Sequence, residues 1–206
     1  MTRELRETAE EASTCVRCRL SSGRTQVVFG VGDPHADLMF IGEGPGFYED
    51  KEGEPFVGAA GKLLNRMLGE IGIERGEVYI ANVVKCRPPG NRDPMPDEIA
   101  ACAPWLREQI ELIDPRVIAT LGRFAGAFIL DRPISITRIR GQRFPQGGRT
   151  VIPTLHPAAV LRGGGAQLER LQEDFRTMRE ALDEPTLEQQ PSAESGEPDQ
   201  GQLGLF

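Results

Sequence analysis

Apolar residues along this chain fall into short dense runs alternating with longer stretches in which they recur every three or four positions. Residues 25–30, 38–41, 78–84, 117–121 and 150–155 are runs of Val, Ile, Leu and Phe bounded by Gly, Pro or Asp, and they predict strands. Residues 59–73 place Leu63, Leu64, Met67, Leu68 and Ile71 on one helical face, with Gly72 as the stop. Further helices are predicted over 97–113, with Pro104 as a kink or restart, over 124–130 and over 167–182. Residues 136–144 read as one arm of a hairpin. Strands separated by helices imply an α/β fold with a mostly parallel sheet covered on both faces. Such sheets bind ligands beyond the carboxyl ends of their strands, so the residues that follow each strand carry the chemistry.

Four residues of complementary kinds sit there. Gly42-Glu-Gly-Pro-Gly46 follows the second strand, Pro55-Phe-Val-Gly58 comes next, Asn82 falls within the run 78–84, and His156-Pro-Ala158 follows the last. Together they can bind a planar heterocycle and break a bond to it. Phe56 would stack, Asn82 would offer a donor and an acceptor, and His156 would stabilise departing negative charge. Glu43 would handle water or positive charge.

The chain has four cysteines, Cys15 and Cys18 as a C-x2-C pair, then Cys86 and Cys102. Cys86 opens the loop Cys86-Arg-Pro-Pro-Gly-Asn-Arg-Asp-Pro, which cannot be ordinary helix or strand. Four thiolates with none left over suit either Zn2+ or a [4Fe–4S] cluster. Two disulfides are disfavoured, because the charged start Met1-Thr-Arg-Glu-Leu-Arg-Glu has no apolar core of a signal peptide.

The 206 residues can bury one good core and contain no apolar run long enough to cross a bilayer, so the expectation is a single-domain, monomeric, cytoplasmic protein. The net charge of −7 argues at first against a nucleic-acid partner. It is unevenly distributed, however: Asp183, Glu184, Glu188, Glu194, Glu197 and Asp199 lie beyond the last predicted helix with no Lys or Arg among them. The rest is near neutral and its cations are almost all Arg, which forks well onto phosphate. Charge therefore neither supports nor excludes DNA. Residues 183–201, rich in Glu, Gln, Pro, Ser and Gly, predict a disordered acidic linker after a folded domain over 1–182. Beyond it, Gln202, Leu203, Leu205 and Phe206 form an apolar peptide that resembles the Gln-Leu-x-Leu-Phe motif with which bacterial repair and replication proteins bind the sliding clamp.

The glycine loop 42–46, Pro55-Phe-Val-Gly58, Asn82 with Val83-Val-Lys-Cys-Arg-Pro-Pro89, His156-Pro-Ala158 and the four cysteines together resemble family 4 uracil-DNA glycosylases, the iron-sulfur branch. The likeness runs from Cys15 to about Leu182. It implies a three-layer α/β/α sandwich around a mostly parallel four-stranded sheet, a [4Fe–4S] cluster on Cys15, Cys18, Cys86 and Cys102, and release of uracil from DNA in base excision repair, at the nucleoid. In that scheme Gly42 and Gly44 present backbone N–H groups to the base, Phe56 and Asn82 bind it, and Glu43 and His156 are catalytic. By the same resemblance Leu161 and Arg162 would push into the gap left by the flipped base. Arg87, Asn91 and Arg92 in the Cys86 loop are open between phosphate contacts and solvated loop residues. The filter against thymine is open between Glu43 and the pair Phe47 and Tyr48.

Overall fold

Alternation along four strands assigns every second side chain to one of two cores. The molecule, described by a computed structural model over residues 3–185, has strands β1 (Val31–Gly32), β2 (Leu38–Gly42), β3 (Tyr79–Asn82), β4 (Val117–Leu121), β5 (Phe144–Gln146) and β6 (Arg149–Thr154). They form one sheet in the order β1-β3-β2-β4-β6-β5. The central strands β3, β2, β4 and β6 are parallel, and β1 and β5 are antiparallel edges. Most of the linker, and the peptide carrying Gln202, Leu203, Leu205 and Phe206, lie outside the described residues.

Helices α1 (Arg3–Ser13), α4 (Pro96–Ile113) and α5 (Arg123–Ile129) cover one face, where Met39, Ile41, Tyr79, Ala81, Ile118 and Val151 meet Leu5, Trp105, Leu106 and Ala125. Helices α3 (Ala59–Glu70), α7 (Pro157–Gly163) and α8 (Gly165–Asp183) cover the other, where Leu38, Phe40, Ile80, Val117, Ala119 and Ile152 meet Leu64, Leu68, Val160, Leu171 and Phe175. Each buried Leu, Ile or Phe contributes about 1.5–3 kcal/mol, so both helical layers are held mainly by this period-two pattern. Phe40 and Phe175 stack with centroids 5.6 Å apart. The short helices α2 (Phe47–Glu52) and α6 (Ile136–Ile139) complete the set among the described residues.

The expected three-layer α/β/α sandwich is present, but its sheet has six strands rather than four. The two extra strands are two and three residues long and contain Gly or Pro, so no apolar run announces them. The predicted strand at 25–30 is not one. Val28 and Phe29 are apolar because they are buried, and Val28 N–H donates to the Lys85 carbonyl (2.8 Å) outside any ladder. Residues 136–144 likewise form α6 and a loop before β5 instead of a continuous hairpin arm. Helix α4 runs through Pro104 as one element. Its start is fixed by Pro96 at the first turn and by the Glu98 carboxylate, which accepts from Met95 N–H at 2.8 Å. The N-terminal helix α1 lies ahead of every predicted element.

Candidate active site

Because β2, β3, β4 and β6 run in parallel, their carboxyl ends Gly42, Asn82, Leu121 and Thr154 share one edge of the sheet. Gly42 is paired in register with Asn82. A Cβ at Gly42 would collide with Asn82 Oδ1 and stand 2.8 Å from the Phe56 ring, so only glycine lets these three residues meet. Above this edge opens a cavity of about 550 Å³ whose walls include Glu43, Gly44, Phe56, Asn82 and His156. The residues expected to act together therefore do share one cavity.

Phe56 is held in a conformation that costs energy for a bulky residue, with φ 55°. Two devices fix it. The Glu49 carboxylate of α2 accepts from Val57 N–H (3.0 Å) and Gly58 N–H (3.1 Å), and Gly61 of α3 leaves room for the Phe56 carbonyl, which any Cβ there would strike. The Phe56 ring lies beside the His156 imidazole, centroids 5.7 Å apart and tilted by 30°.

His156 caps α7: its Nδ1 accepts from Ala158 N–H at 3.2 Å. With Nδ1 engaged as acceptor, the proton of the neutral ring sits on Nε2. Burial, reinforced by the positive charge of Arg162 and opposed by Glu49, brings the imidazole down to about 4, so it is neutral at pH 7. Glu43 is shifted the other way. Burial and the neighbouring Asp93 raise its carboxyl to about 7, against the opposing pull of Arg123.

Asn82 is 2% exposed, and its Oδ1 has no hydrogen-bond partner. Its backbone carbonyl oxygen accepts from the ammonium of the fully buried Lys85 at 2.9 Å, and Lys85 Nζ also donates to Gln109 Oε1. Gln109 Nε2 in turn donates to Phe29 O (3.0 Å) and Tyr79 Oη (3.1 Å). The backbone of the strand end is thus tied down while the side-chain oxygen is left free.

The outer residues divide. Asn91 and Arg162 line the cavity, as does Arg92, but the Arg92 guanidinium is engaged by both oxygens of the buried Glu98 (2.6 and 2.9 Å). Leu161 is 53% exposed on α7, outside the cavity wall. Arg87 also stands outside the wall, stacked 5.0 Å from the Phe47 ring centroid with its Nε donating to Asn91 Oδ1 at 2.7 Å. Sequence reasoning misses Glu49, hidden in a charged helix turn, and the Lys85 and Gln109 pair. A lysine closing the apolar run 78–84 is the available signal for the latter.

The four cysteines are free thiols that line a second, smaller cavity between α1, α4 and the Cys86 loop. Among the described residues, no three His, Cys, Asp or Glu side chains converge as they would around a single ion. The thiols instead surround a shared space with donors aimed at sulfur. Lys85 N–H reaches Cys102 Sγ at 3.2 Å, Trp105 Nε1–H reaches Cys15 Sγ at 3.4 Å, and the Arg24 guanidinium reaches Cys86 Sγ at 3.4 Å. Burial pushes the Cys102 thiol up to about 11, opposed by Lys85, and raises Cys86 as well, opposed by Arg24. No described helix is long and apolar enough to cross a membrane.

Comparison with known proteins places the chain in a family. The family model of the uracil DNA glycosylase superfamily matches residues 29–183. The type-4 uracil-DNA glycosylase of Sulfurisphaera tokodaii is 49% identical over 185 residues, 85% of this chain and 84% of that protein. That of Thermotoga maritima is 50% identical over 165 residues, covering 79% and 86%. That of Archaeoglobus fulgidus is 44% identical over 193 residues, covering 89% and 96%. With its cavity at the carboxyl edge of the parallel strands and matches of this extent, the chain belongs to the uracil DNA glycosylase superfamily.

Proposed function

We propose that this protein hydrolyses the bond between uracil and deoxyribose in DNA, releasing the base and leaving an abasic site for repair. One observation carries the reading: an unpartnered, buried carboxamide oxygen on Asn82 in the wall of a cavity that Phe56 and His156 also line. A buried acceptor without a partner costs about 1–3 kcal/mol, which a ligand N–H can recover.

Deoxyuridine turned out of the stack enters the cavity and its ring lies on Phe56. Asn82 Oδ1 accepts from uracil N3–H and its amide donates to O4. Cytosine presents an acceptor and a donor at those two places, so the same amide faces two mismatches, worth several kcal/mol by order of magnitude. As the glycosidic bond breaks, the sugar becomes cationic and negative charge gathers on uracil O2. The Nε2–H of neutral His156, with backbone N–H groups of the loop carrying Gly42 and Gly44, meets that charge; such a donor contributes roughly 100-fold or more. Water adds to the sugar and gives up its proton to Glu43, whose shift to about 7 suits a base working near neutrality. Arg162 at the cavity mouth engages a backbone phosphate, and exposed Leu161 fills the gap left in the stack.

Cys15, Cys18, Cys86 and Cys102 would hold a [4Fe–4S] cluster. The fit rests on four free thiols around one space, with N–H donors directed at three of the sulfurs and Arg17 and Arg24 beside them to offset negative charge. When bound, the cluster would cross-link the N-terminal segment to the Cys86 loop, a structural role without redox chemistry in the reaction. The peptide Gln202 to Phe206 docks on a sliding clamp; deleting it should abolish clamp binding and leave turnover on short oligonucleotides unchanged.

The reaction is tested by incubating the protein with a uracil-containing oligonucleotide and then alkali. Cleavage at the uracil position, absent when uracil is replaced by thymine or cytosine, is the expected result. An intact strand would overturn the reading.

A further inference from the structure

We infer that Phe47 and Tyr48 form a stacking platform for the nucleobase next to the flipped deoxyuridine in the same strand, an inference that rests on the glycosylase reading. Both rings border the base cavity, yet they are 52% and 59% exposed, so neither belongs to the core or to the deep wall occupied by Phe56 and Asn82. They are ordered against each other edge to face, centroids 5.4 Å apart at 83°. The Arg87 guanidinium lies over Phe47 at 5.0 Å and is itself held by Asn91. Two pre-positioned aromatic faces beside a cation form the arrangement that proteins use to hold unpaired bases while a guanidinium attends the phosphate.

The chemistry of α2 points the same way. Its acids nearest the rings are turned to other work: Glu49 is taken by Val57 and Gly58, and the buried Asp50 by the N–H and hydroxyl of Thr25 (2.9 and 2.6 Å). Of the acids on α2 only Glu52, a turn beyond Tyr48, stays exposed, and Lys51 is exposed beside it, so the cation nearest the rings is the Arg87 guanidinium over Phe47. Extrusion of one nucleotide strips its neighbour of a stacking partner, and an exposed ring at the cavity mouth replaces it. Exposure also argues against Phe47 or Tyr48 as the filter that excludes the thymine methyl, which requires a residue packed against the bound base.

The test uses single-stranded oligonucleotides with one uracil whose 5′ or 3′ neighbour is either thymine or an abasic spacer, and reads kcat/KM for uracil release. Wild-type protein should lose about 5- to 150-fold when the base on the stacked side is removed, the usual worth of one base on an aromatic ring. In the variant with Phe47→Ala and Tyr48→Ala that sensitivity should fall below about 2-fold, whereas Tyr48→Phe should retain it. Should the double alanine variant fold poorly, Phe47→Leu with Tyr48→Leu keeps the apolar bulk, removes both π-faces and should show the same collapse. Wild-type protein indifferent to the neighbouring base, or variants as sensitive as wild type, would overturn the platform. Wild-type protein that releases no uracil from any of these strands would overturn the glycosylase reading instead.

Discussion

Replacing Asn82 by Ala separates binding chemistry from folding more cleanly than any other change in the site. The side chain is 2% exposed and its Oδ1 makes no bond within the protein, so its removal deletes an unsatisfied buried acceptor. The Lys85 ammonium holds the Asn82 backbone carbonyl oxygen, which the substitution leaves in place. Stability should therefore hold within about 1 kcal/mol, the relief of a buried polar group offsetting the modest packing that a side chain beside an open cavity provides. Catalysis should fare otherwise. Uracil N3–H and O4 would enter a dry site without partners, each at about 1–3 kcal/mol, which together predict a loss of roughly 30-fold to 10⁴-fold in kcat/KM. Single-turnover uracil release, read by alkaline cleavage, measures the loss, and thermal unfolding measures stability. Full activity with cytosine still spared would refute the recognition scheme. Equal collapse of activity and stability would show that Asn82 is a structural residue.

Glu43, with its carboxyl raised to about 7, should give kcat/KM an acidic limb that falls about tenfold per pH unit below that value, and Glu43→Gln should flatten it. Since the folded-state value lies above the ordinary 4.5, ionisation opposes folding: stability should decline as pH rises from about 4.5 to 7 in wild type and not in Glu43→Gln, as denaturant titrations would show. Glu49→Ala should orphan the Val57 and Gly58 N–H groups, lower stability by about 1–3 kcal/mol and raise KM more than it lowers kcat, because it frees Phe56 from its left-handed turn. Cys102→Ser should remove broad visible absorption from the purified protein and lower its melting temperature and solubility; a colourless variant of undiminished stability would sink the bracing role.

What is legible in the sequence follows from what each element is made of. Strands β2, β3 and β4 are buried on both faces, so their apolar runs stand out. The edges β1 and β5 are short and contain Gly32 or Pro145, and only the pairing of strands distant in sequence reveals them. At the site, Asn82 and His156 are visible because a carboxamide within an apolar run and an imidazole after one are chemically out of place. Glu49 is not, since an acid among acids on a short helix gives no sign that its carboxylate turns inward to two backbone amides eight and nine residues away. Arg92 reads as a free cation in a polar loop. Its partner Glu98 lies on the first turn of α4 and is buried, a fact that no local pattern conveys.

The two cavities are joined through one short stretch of chain, so a cluster bound at the four thiols would bear on the base cavity without touching the reacting bond. Between the end of β3 and the middle of α4 the backbone carries Asn82, Lys85, Cys86, Asn91, Arg92 and Cys102 in succession, with little regular structure from 83 to 95. Val83 and Val84 are buried at the start of this loop, but Pro89, Gly90, Asn91 and Asp93 are exposed, and Pro88, Pro89 and Pro94 remove backbone donors, so the outer part of the loop has little apolar burial with which to order itself. It is instead pinned at discrete points: by Lys85, whose side chain holds the Asn82 carbonyl and whose N–H donates to Cys102 Sγ, by Arg92 on Glu98, and by the thiols at Cys86 and Cys102. Tying Cys86 and Cys102 to Cys15 and Cys18 would fix both ends of the segment that brings Asn91 and Arg92 to the cavity mouth. A cluster bound at the four thiols would on this reasoning act on uracil excision through position alone, by holding the strand end at Asn82 and its loop in register with Phe56 and His156 on the neighbouring elements.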